Sequence, residues 1–322
     1  MKTIMRTSAA KSRGSLLIVT LWVVVILSAL AVAIGRYLSL QVRLAKYRSA
    51  QEEARTLARS GIYLAMQRLI RDAQEPEANG ATYDWLGDDW AVFSGEPADH
   101  WVVPLSARGG VLPRGQVDIE IADAERGMDV NAASASQLDS LIRETDVANA
   151  IMDYRDADQD GPWDTFVDQP PYVPKNGPVA ALEELRDVPG QSDETFERLR
   201  QFTWAAPELA PTQSVNINTA PREVLIAAGL PTLADTIIAF RNSGHAFAQV
   251  TPTLQTDHPA IPPPFDSGNL EFLNAQPHLT VSSQTFRVTA TGRLRQPQVR
   301  YRIEAVVRRN TTGASLVAWR EG

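Results

Sequence analysis

The residues of this sequence that could bind a ligand are concentrated in one acidic stretch near the middle of the chain. Asp156, Asp158 and Asp160 alternate with other residues and are followed by Gly161, and Asp164 comes three residues later. This D-x-D-x-D-G order is typical of a calcium loop, in which alternate carboxylates converge on one hard cation and glycine permits a sharp turn. Asp164 stands where a ninth-position ligand would fall. The stretch is therefore a candidate Ca²⁺ site.

The loop is not a complete EF-hand. Position twelve, where a bidentate glutamate is expected, is Val167, and Asp168 comes one residue late. The remaining ligands must come from elsewhere in the chain or from water. A solvated acidic turn is the alternative interpretation, but closely spaced aspartates repel one another unless a cation neutralises them. The chain has no cysteine and therefore no disulfide, so its folded domains must be held by their cores or by metal, and we expect a structural calcium.

Composition and motifs argue against catalysis. The four histidines have no metal-ligand spacing, and the sequence contains neither G-x-S-x-G nor a phosphate-binding glycine loop. The carboxylates are so many that no acid–base pair stands out. We therefore expect neither an enzyme nor a small-molecule substrate. With 31 Lys and Arg against 38 Asp and Glu, the net charge of −7 also disfavours a nucleic-acid partner.

An uncharged apolar run predicts a membrane location. Residues 14–35 follow a basic leader, and roughly 20 apolar residues in a helix span the ~30 Å hydrocarbon core of a bilayer. Basic residues hold the N-terminal side in the cytoplasm, so we expect a single-pass inner (plasma) membrane protein with periplasmic C-terminal domains. A secretory signal peptide fits poorly, because the run is too long and lacks a small-x-small cleavage site followed by polar sequence.

The helix is expected to continue beyond the membrane. From residue 36 to about residue 72 there is no proline, and small and apolar side chains recur at spacings of three and four from Ala54 to Leu69. A single helix over this length would be about 85 Å long at 1.5 Å per residue. The alternative is a membrane anchor followed by a separate surface helix.

Strand patterns bracket a helical region. Residues 116–121, 286–291 and 301–307 alternate polar and apolar side chains. Between them, Asn, Ser and Thr residues mark helix starts near Ser134 and Thr219, and Pro221 is expected at an early helical position. Neither flank alone has enough strands for a stable sheet, so we expect the two flanks to share one antiparallel sheet.

The predicted fold is α+β. A long transmembrane helix packs on a small antiparallel, pilin-like sheet, and a large all-helical domain of the SAM or helix-hairpin-helix kind is inserted into that sheet. The chain is expected to begin with a leader (1–14) and the transmembrane and amphipathic helix (15–73). A first sheet segment (74–125), the inserted helical domain (126–283) and a second sheet segment (284–322) are expected to follow.

One motif leaves a second function open. Residues 215–221, Val-Asn-Ile-Asn-Thr-Ala-Pro, resemble the entry to a helix-hairpin-helix module, which grips DNA phosphates through the backbone amides of a Gly-x-Gly hairpin. The corresponding hairpin would be Gly229-Leu230-Pro231, in which Pro231 removes one amide donor. A helical scaffold for protein contacts is favoured. A membrane-anchored helix-hairpin-helix protein that binds or takes up DNA is the alternative.

The N-terminus resembles that of a type IV prepilin-like protein. Gly14 directly precedes the apolar run, and in that class a membrane peptidase cuts after such a glycine and the new N-terminus is usually methylated. The resemblance implies a mature chain that starts at Ser15. The fifth mature residue is then Val19, where most pilins carry glutamate, and Ser15 stands where an aromatic residue or methionine is more usual.

Over nearly its whole length the chain resembles the general secretion pathway protein K family, the large minor pseudopilins of type II secretion systems. The order and spacing of several motifs carry this resemblance: Gly14, Val19, AIMDYRDADQD at 150–160, PPY at 170–172, LEELRDVPG at 182–190 and VNINTAP at 215–221.

The resemblance implies a role in assembly. Members of this family are part of a tip complex that initiates or caps a short periplasmic filament and supports export across the outer membrane. Implied partners are the other minor pseudopilins, the major pseudopilin, the prepilin peptidase and the inner membrane. The implied calcium ligands are Asp156, Asp158, Asp160, Asp164 and Asp168. In pilins the fifth-position carboxylate is thought to pair with a neighbour's N-terminal amine, and Val19 cannot offer that partner.

Overall fold

The computed structural model describes residues 13–75, 82–91, 101–106, 113–158, 161, 172–206, 209–250, 255–256, 269–310 and 312–322. Helices and strands are numbered in chain order within this portion of the chain. The helices are α1 (Arg13–Gln74), α2 (Ala135–Ile142), α3 (Thr145–Arg155), α4 (Asp193–Phe202), α5 (Arg222–Ala227), α6 (Ala234–Asn242) and α7 (Leu270–Ala275), with 3₁₀ turns at Leu182–Asp187 and Gln276–His278. The strands are β1 (Trp101–Ser106), β2 (Pro113–Asp123), β3 (Met128–Asp129), β4 (Thr203–Trp204), β5 (Val215–Asn216), β6 (Phe247–Gln249), β7 (Gln255–Thr256), β8 (Leu279–Thr280), β9 (Thr285–Leu294), β10 (Val299–Asn310) and β11 (Gly313–Glu321).

The long strands form one antiparallel sheet with the order β1-β2-β9-β10-β11. Strands β2 and β9 pair directly, with Gly115 opposite Leu294 and Asp123 opposite Phe286. Elements α2 to α7 all lie between these two neighbouring strands in the sequence. The predicted α+β class is confirmed, and so is the prediction that strands from both flanks share one sheet.

Helix α1 is continuous from Arg13 to Gln74, a run of 62 residues, so the alternative of a separate surface helix is wrong. An 18-residue window near its N-terminus has a mean hydropathy of 2.9, and none of that window is buried. By length and composition this helix could cross a membrane.

The second half of α1 packs on one face of the sheet. Ala54, Ala58 and Ala65 are fully buried, together with Ile62 and Leu69 on the same helix face. At Gly61, an added Cβ atom would lie 2.7 Å from a Val117 methyl group and 2.9 Å from the Ala290 Cβ. Small side chains therefore let the helix backbone approach the sheet closely, which explains the spacing of three and four read in the sequence.

The inserted elements enclose a separate hydrophobic core. Leu138, Ile151, Phe196 and Phe272 are fully or almost fully buried in one cluster that joins α2, α3, α4 and α7. The predicted helix start near Ser134 is confirmed. Ser134 Oγ accepts from the Gln137 amide, while the Gln137 side chain accepts from the Ser134 amide, which satisfies two free donors of the first turn.

The end of the chain is fastened to α1. The Glu321 carboxylate accepts hydrogen bonds from Arg55 Nε (2.8 Å) and Arg59 Nη2 (2.8 Å), and also from Tyr301 Oη (2.8 Å) and Trp319 Nε1 (2.9 Å). These donors, Arg59 first, lower the pKa of Glu321 to about 2. Strand β11 is thereby held against the helix as well as against β10.

Candidate functional site

The predicted processing and assembly residues all lie at the beginning of α1. Because α1 starts at Arg13, Gly14 and Ser15 belong to its first turn. Val19 is one turn further on and 56% exposed, in a row of exposed apolar side chains. Cleavage after Gly14 stays a prediction.

The acidic loop starts where α3 ends. Asp156 is the C-cap of α3, and its amide donates to the Met152 carbonyl oxygen at 3.0 Å. Two residues later, the Asp158 carbonyl oxygen accepts from Asn176 Nδ2 at 2.7 Å. The predicted ligands Asp160, Asp164 and Asp168 lie outside the described residues.

At Gly161 the loop lies against the last turns of α3. A Cβ atom added there would overlap the carboxylate of Asp153, so a larger residue would require that side chain to move. Asp156, Asp158 and Gly161 thus lie close to one end of a single helix. A set of carboxylate and carbonyl oxygens around such a turn has the ligand chemistry that Ca²⁺ prefers.

A buried polar junction joins the sheet to the inserted domain. At its centre, Asp123 Oδ2 accepts from Asn216 Nδ2 (3.1 Å), Thr219 Oγ1 (2.5 Å) and Ser283 Oγ (2.8 Å). Each of these four residues is at most 3% exposed. Asn216 and Thr219 belong to the inserted elements, whereas Asp123 ends β2 and Ser283 precedes β9. The junction therefore connects the insert to both chain segments that join it to the sheet, namely the end of β2 and the residues before β9.

The same network extends to α1 through an arginine. Arg309 of β10 donates through Nη1 to Asp72 Oδ2 of α1 at 2.5 Å and through Nη2 to Asp84 Oδ1. The other carboxylate oxygen of Asp84 accepts from the Ser283 amide at 2.6 Å, and the Asp84 carbonyl oxygen accepts from Asn216 Nδ2 at 3.1 Å. Helix, sheet and insert are thus connected by buried hydrogen bonds.

Burial dominates the electrostatics of this junction. It raises the pKa of Asp123 to about 6, and together with the neighbouring Asp123 charge it raises the pKa of Glu125 to about 7. Glu125 Oε1 accepts from the amides of Gln284 (2.9 Å) and Thr285 (2.8 Å), which favours its ionised form but only in part offsets the loss of water.

Carboxylate oxygens of Asp72, Asp84 and Asp88 lie within 4.8 Å of one another, which is close enough to share a cation. The Arg309 guanidinium bonds two of the three carboxylates, Asp72 and Asp84. An internal arginine therefore supplies positive charge to this group, and we assign no metal to it.

The polar side chains of the Val215–Pro221 motif form hydrogen bonds within the junction and within the inserted domain. Asn218 exchanges two hydrogen bonds with the backbone of Phe247, at 2.9 and 2.8 Å, while Asn216 and Thr219 bond Asp123. The prediction that Pro221 takes an early helical position is wrong. Pro221 is the N-cap of α5 with an extended backbone (φ −72°, ψ 167°), and it makes no side-chain cap bond because proline has no side-chain acceptor.

The hairpin between α5 and α6 is closed by an internal carboxylate. Gly229 takes a left-handed φ of +98° at the turn. Beyond it, the amides of Thr232 (2.8 Å) and Leu233 (3.2 Å) donate to Glu271 Oε1, and the Thr232 hydroxyl donates to the other carboxylate oxygen. Glu271 thus occupies the amides that follow the hairpin, and the amides of Gly229 and Leu230 within it donate to the Ile226 and Leu225 carbonyl oxygens, so these four amides are already bonded within the chain.

Sequence reasoning missed the junction, although a signal was present. Along β2 and β10, alternate residues face α1, and Asp123 and Arg309 fall in the same phase as the buried Ile119 and Val307. A charged residue in an apolar phase of a strand is buried only when it has a partner. That rule would have marked both residues.

Comparison with known proteins agrees with this geometry. Residues 122–208 match the family model for protein K of the type II secretion system. A chain in the crystal structure of the GspK-GspI-GspJ complex from the enterotoxigenic Escherichia coli type 2 secretion system superposes with a TM-score of 0.61. The two are 18% identical, and the match covers 86% of this chain and 99% of that chain. No curated protein sequence gives a match. The resemblance to the protein K family and the α+β fold are therefore confirmed.

Proposed function

We propose that this chain is a minor pseudopilin that initiates or caps the periplasmic filament of a type II secretion system and supports export across the outer membrane. The observation that carries the proposal is the insertion of α2 to α7 between the adjacent strands β2 and β9 of a sheet that packs on α1. An exposed apolar helix suits a filament core, whereas a domain of this bulk on the sheet hinders stacking along a shaft.

Val19 supports a terminal position. An unpaired charge inside the membrane costs several kcal/mol, so a subunit's N-terminal amine needs a carboxylate partner there. Val19 is exposed on α1 and has no carboxylate to offer. A subunit that lacks this partner is better placed at the end of a filament than within it.

The proposed partners follow from the structural likeness. The similar solved chain belongs to a complex of GspK, GspI and GspJ. We propose two other minor pseudopilins as direct partners here and the major pseudopilin beneath them. A prepilin peptidase would cut after Gly14 and leave Ser15 as a methylated N-terminus, with the N-terminal side cytoplasmic and the C-terminal domains periplasmic.

Processing gives the first test. We expect intact-mass analysis of protein from membranes of cells with their own prepilin peptidase to show a start at Ser15. Gly14→Leu should block cleavage, because the peptidase requires a small residue. The matched control is Gly35→Leu in the same run, since an added Cβ at Gly35 has nothing within 4 Å. An uncut wild-type chain, or a cut beyond residue 34, contradicts the proposal.

Assembly gives the second test. Val19→Glu should impair secretion by the complemented strain, because it puts a new carboxylate at the fifth mature position. Val32→Glu, in the same exposed apolar run, controls for the cost of a charge in the membrane. Equal secretion by the wild type and Val19→Glu would count against the tip role.

We also propose a structural Ca²⁺ held by Asp156, Asp158, Asp160, Asp164 and Asp168. The close approach of Gly161 to the Asp153 carboxylate supports a tight turn of this kind. Calorimetric titration of the full chain with Ca²⁺ should show one binding event that Asp156→Asn with Asp158→Asn abolishes. Asp193→Asn, an exposed aspartate of α4, is the control. Unchanged binding in the double variant would rule out these ligands.

A further inference from the structure

A basic surface lies where the folded part of the chain comes nearest to the apolar run of α1. On the helix it consists of Arg36, Arg43 and Lys46, which follow the apolar run and are exposed. They precede the buried Ala50 by fourteen, seven and four residues. At 3.6 residues per turn these spacings place all three within about 40° of Ala50 around the helix axis. The three side chains therefore lie on the side of α1 that carries the sheet.

The turn between β9 and β10 completes the basic surface. Strand β9 runs along α1 towards the apolar run, and its last residue, Leu294, packs in one cluster with Ala50. A strand advances about 3.3 Å per residue and a helix 1.5 Å, so the turn after Leu294 extends past Ala50 to about the level of Lys46. Arg295 in this turn and Arg300 just after it are exposed. Helix and sheet thus present basic side chains at the same end.

Positive charge is in excess at this end. Residues 36–54 and 293–300 together contain seven Lys and Arg residues and two glutamates, Glu52 and Glu53. Asp118, on the neighbouring strand, pairs with Arg293 at 2.5 Å. Four positive charges remain when all three carboxylates are counted. The five side chains of the basic surface form no ion pair with any residue that the structure describes.

The length of the apolar run sets the distance of this surface from a bilayer. Residues 14–35 extend about 33 Å as a helix, close to the ~30 Å of a hydrocarbon core, so Arg36 lies at its boundary. The headgroup layer adds about 5–7 Å. Arg43 and Lys46 are about 10 and 15 Å along the helix from Arg36, within about one Debye length (~8 Å) of that layer. Tyr37 and Tyr47 in the same interval are 61% and 50% exposed, and tyrosine is enriched at membrane interfaces.

We infer that the basic surface binds anionic phospholipid headgroups of the leaflet from which α1 emerges. The α1 side chains bind phosphates beside the helix, and Arg295 and Arg300 hold the end of the sheet towards the same leaflet, since each cation near an anionic surface adds to the attraction. The sheet side of the folded part is therefore drawn towards the membrane. This inference rests on the membrane location proposed for α1 and not on a place in a filament.

The test measures energy transfer from the β9–β10 turn to the bilayer. The chain has no cysteine, so Gln298→Cys provides a single site for a fluorescent donor, and the acceptor is a trace of headgroup-labelled lipid. The full chain is reconstituted in liposomes of phosphatidylcholine alone or of equal parts phosphatidylcholine and phosphatidylglycerol. We expect about twofold higher transfer with phosphatidylglycerol in 0.1 M salt. This rise should vanish in 1 M salt, because the Debye length falls from about 10 Å to about 3 Å.

Two variants assign the effect to the basic surface. Arg295→Gln with Arg300→Gln should remove most of the rise, and so should the triple replacement of Arg36, Arg43 and Lys46 by glutamine. The hydrogen-exchange pattern of each variant should match that of the wild type, because all five side chains are exposed.

The matched control replaces three exposed arginines away from this end, Arg126, Arg143 and Arg308, by glutamine and should keep the rise. A donor at Thr312→Cys, in the turn at the opposite end of the sheet, should show no rise. Equal transfer in the two membranes overturns the inference and would assign the surface to a protein partner. A rise that survives both basic-surface variants overturns it too. A chain that does not float with liposomes would overturn this inference and the membrane location together.

Discussion

Replacing Asn216 by alanine should uncouple the inserted domain from the sheet. The two hydrogens of Asn216 Nδ2 are shared among Ser283 Oγ (2.9 Å), Asp123 Oδ2 (3.1 Å) and the Asp84 carbonyl oxygen (3.1 Å), and Oδ1 accepts from the Asn218 amide (2.9 Å). A hydrogen bond to a charged group contributes about 1.5–3 kcal/mol, and a neutral one about 1 kcal/mol. Two donated hydrogen bonds and one accepted hydrogen bond together predict that Asn216→Ala lowers the free energy of unfolding by about 4 kcal/mol.

The assay is urea unfolding of the full chain in detergent, combined with hydrogen exchange followed by mass spectrometry. Because two cores can unfold separately, exchange shows where stability is lost. We expect faster exchange in both β9 and α5, since Asn216 bonds partners on both sides of the junction. The control is Asn242→Ala at the exposed end of α6, which should change stability by less than about 0.5 kcal/mol.

If Asn216→Ala lowers the free energy of unfolding by less than about 1 kcal/mol, the reasoning is refuted, because a single buried hydrogen bond already contributes that much. It is equally refuted by a loss confined to α5 and α6, which would show that the junction does not couple the insert to the sheet.

Three further results are expected. The raised pKa values of Asp123 (about 6) and Glu125 (about 7) mean that the folded chain binds more protons than the unfolded chain between about pH 4 and pH 7. The free energy of unfolding should therefore fall as the pH rises through that window, by on the order of 3 kcal/mol for each of the two groups, and Asp123→Asn should flatten the dependence of the urea midpoint on pH. Gly61→Val should lower stability by about 2 kcal/mol in thermal unfolding, because sheet side chains lie 2.7 and 2.9 Å from the added Cβ, whereas Gly35→Val should not. Glu271→Ala leaves two amides at the start of α6 without their carboxylate, so urea unfolding should show a loss of about 2 kcal/mol.

Local periodicity predicted the elements that bury one face. The spacing of three and four from Ala54 to Leu69 predicted how α1 packs, because a helix that lies on a sheet buries a single stripe. Alternation predicted β2, β9 and β10 for the same reason. Strands β1 and β11 were not predicted. Both are edge strands, and β1 contains Pro104, which an edge tolerates because one of its sides forms no ladder.

The candidate sites differ in the same way: sites formed by neighbouring residues were predicted from the sequence, and the junction was not. The acidic loop and the residues around Gly14 are contiguous in sequence, so spacing alone suggests their chemistry. The junction is not contiguous, since Asn216 bonds Asp84 and Asp123 from 132 and 93 residues away. Pairing at that distance depends on the register of β2 against β9, which no local pattern specifies. The sequence does place Asp123 and Arg309 in an apolar phase, but it does not indicate which residues neutralise them.

The junction also bears on how the inserted domain would act in the terminal position proposed for this chain. A domain joined by two unsupported linkers would move independently of α1, and its bulk would block stacking only some of the time. Here Arg309 bonds Asp72 of α1 and Asp84, and Asn216 of the insert bonds the Asp84 backbone. The position of the insert relative to the helix is thus set by buried polar groups, which are costly to separate in a low-dielectric interior. Loss of this coupling through Asn216→Ala should therefore weaken the proposed terminal role without altering α1 itself, which distinguishes it from a defect caused by Val19→Glu.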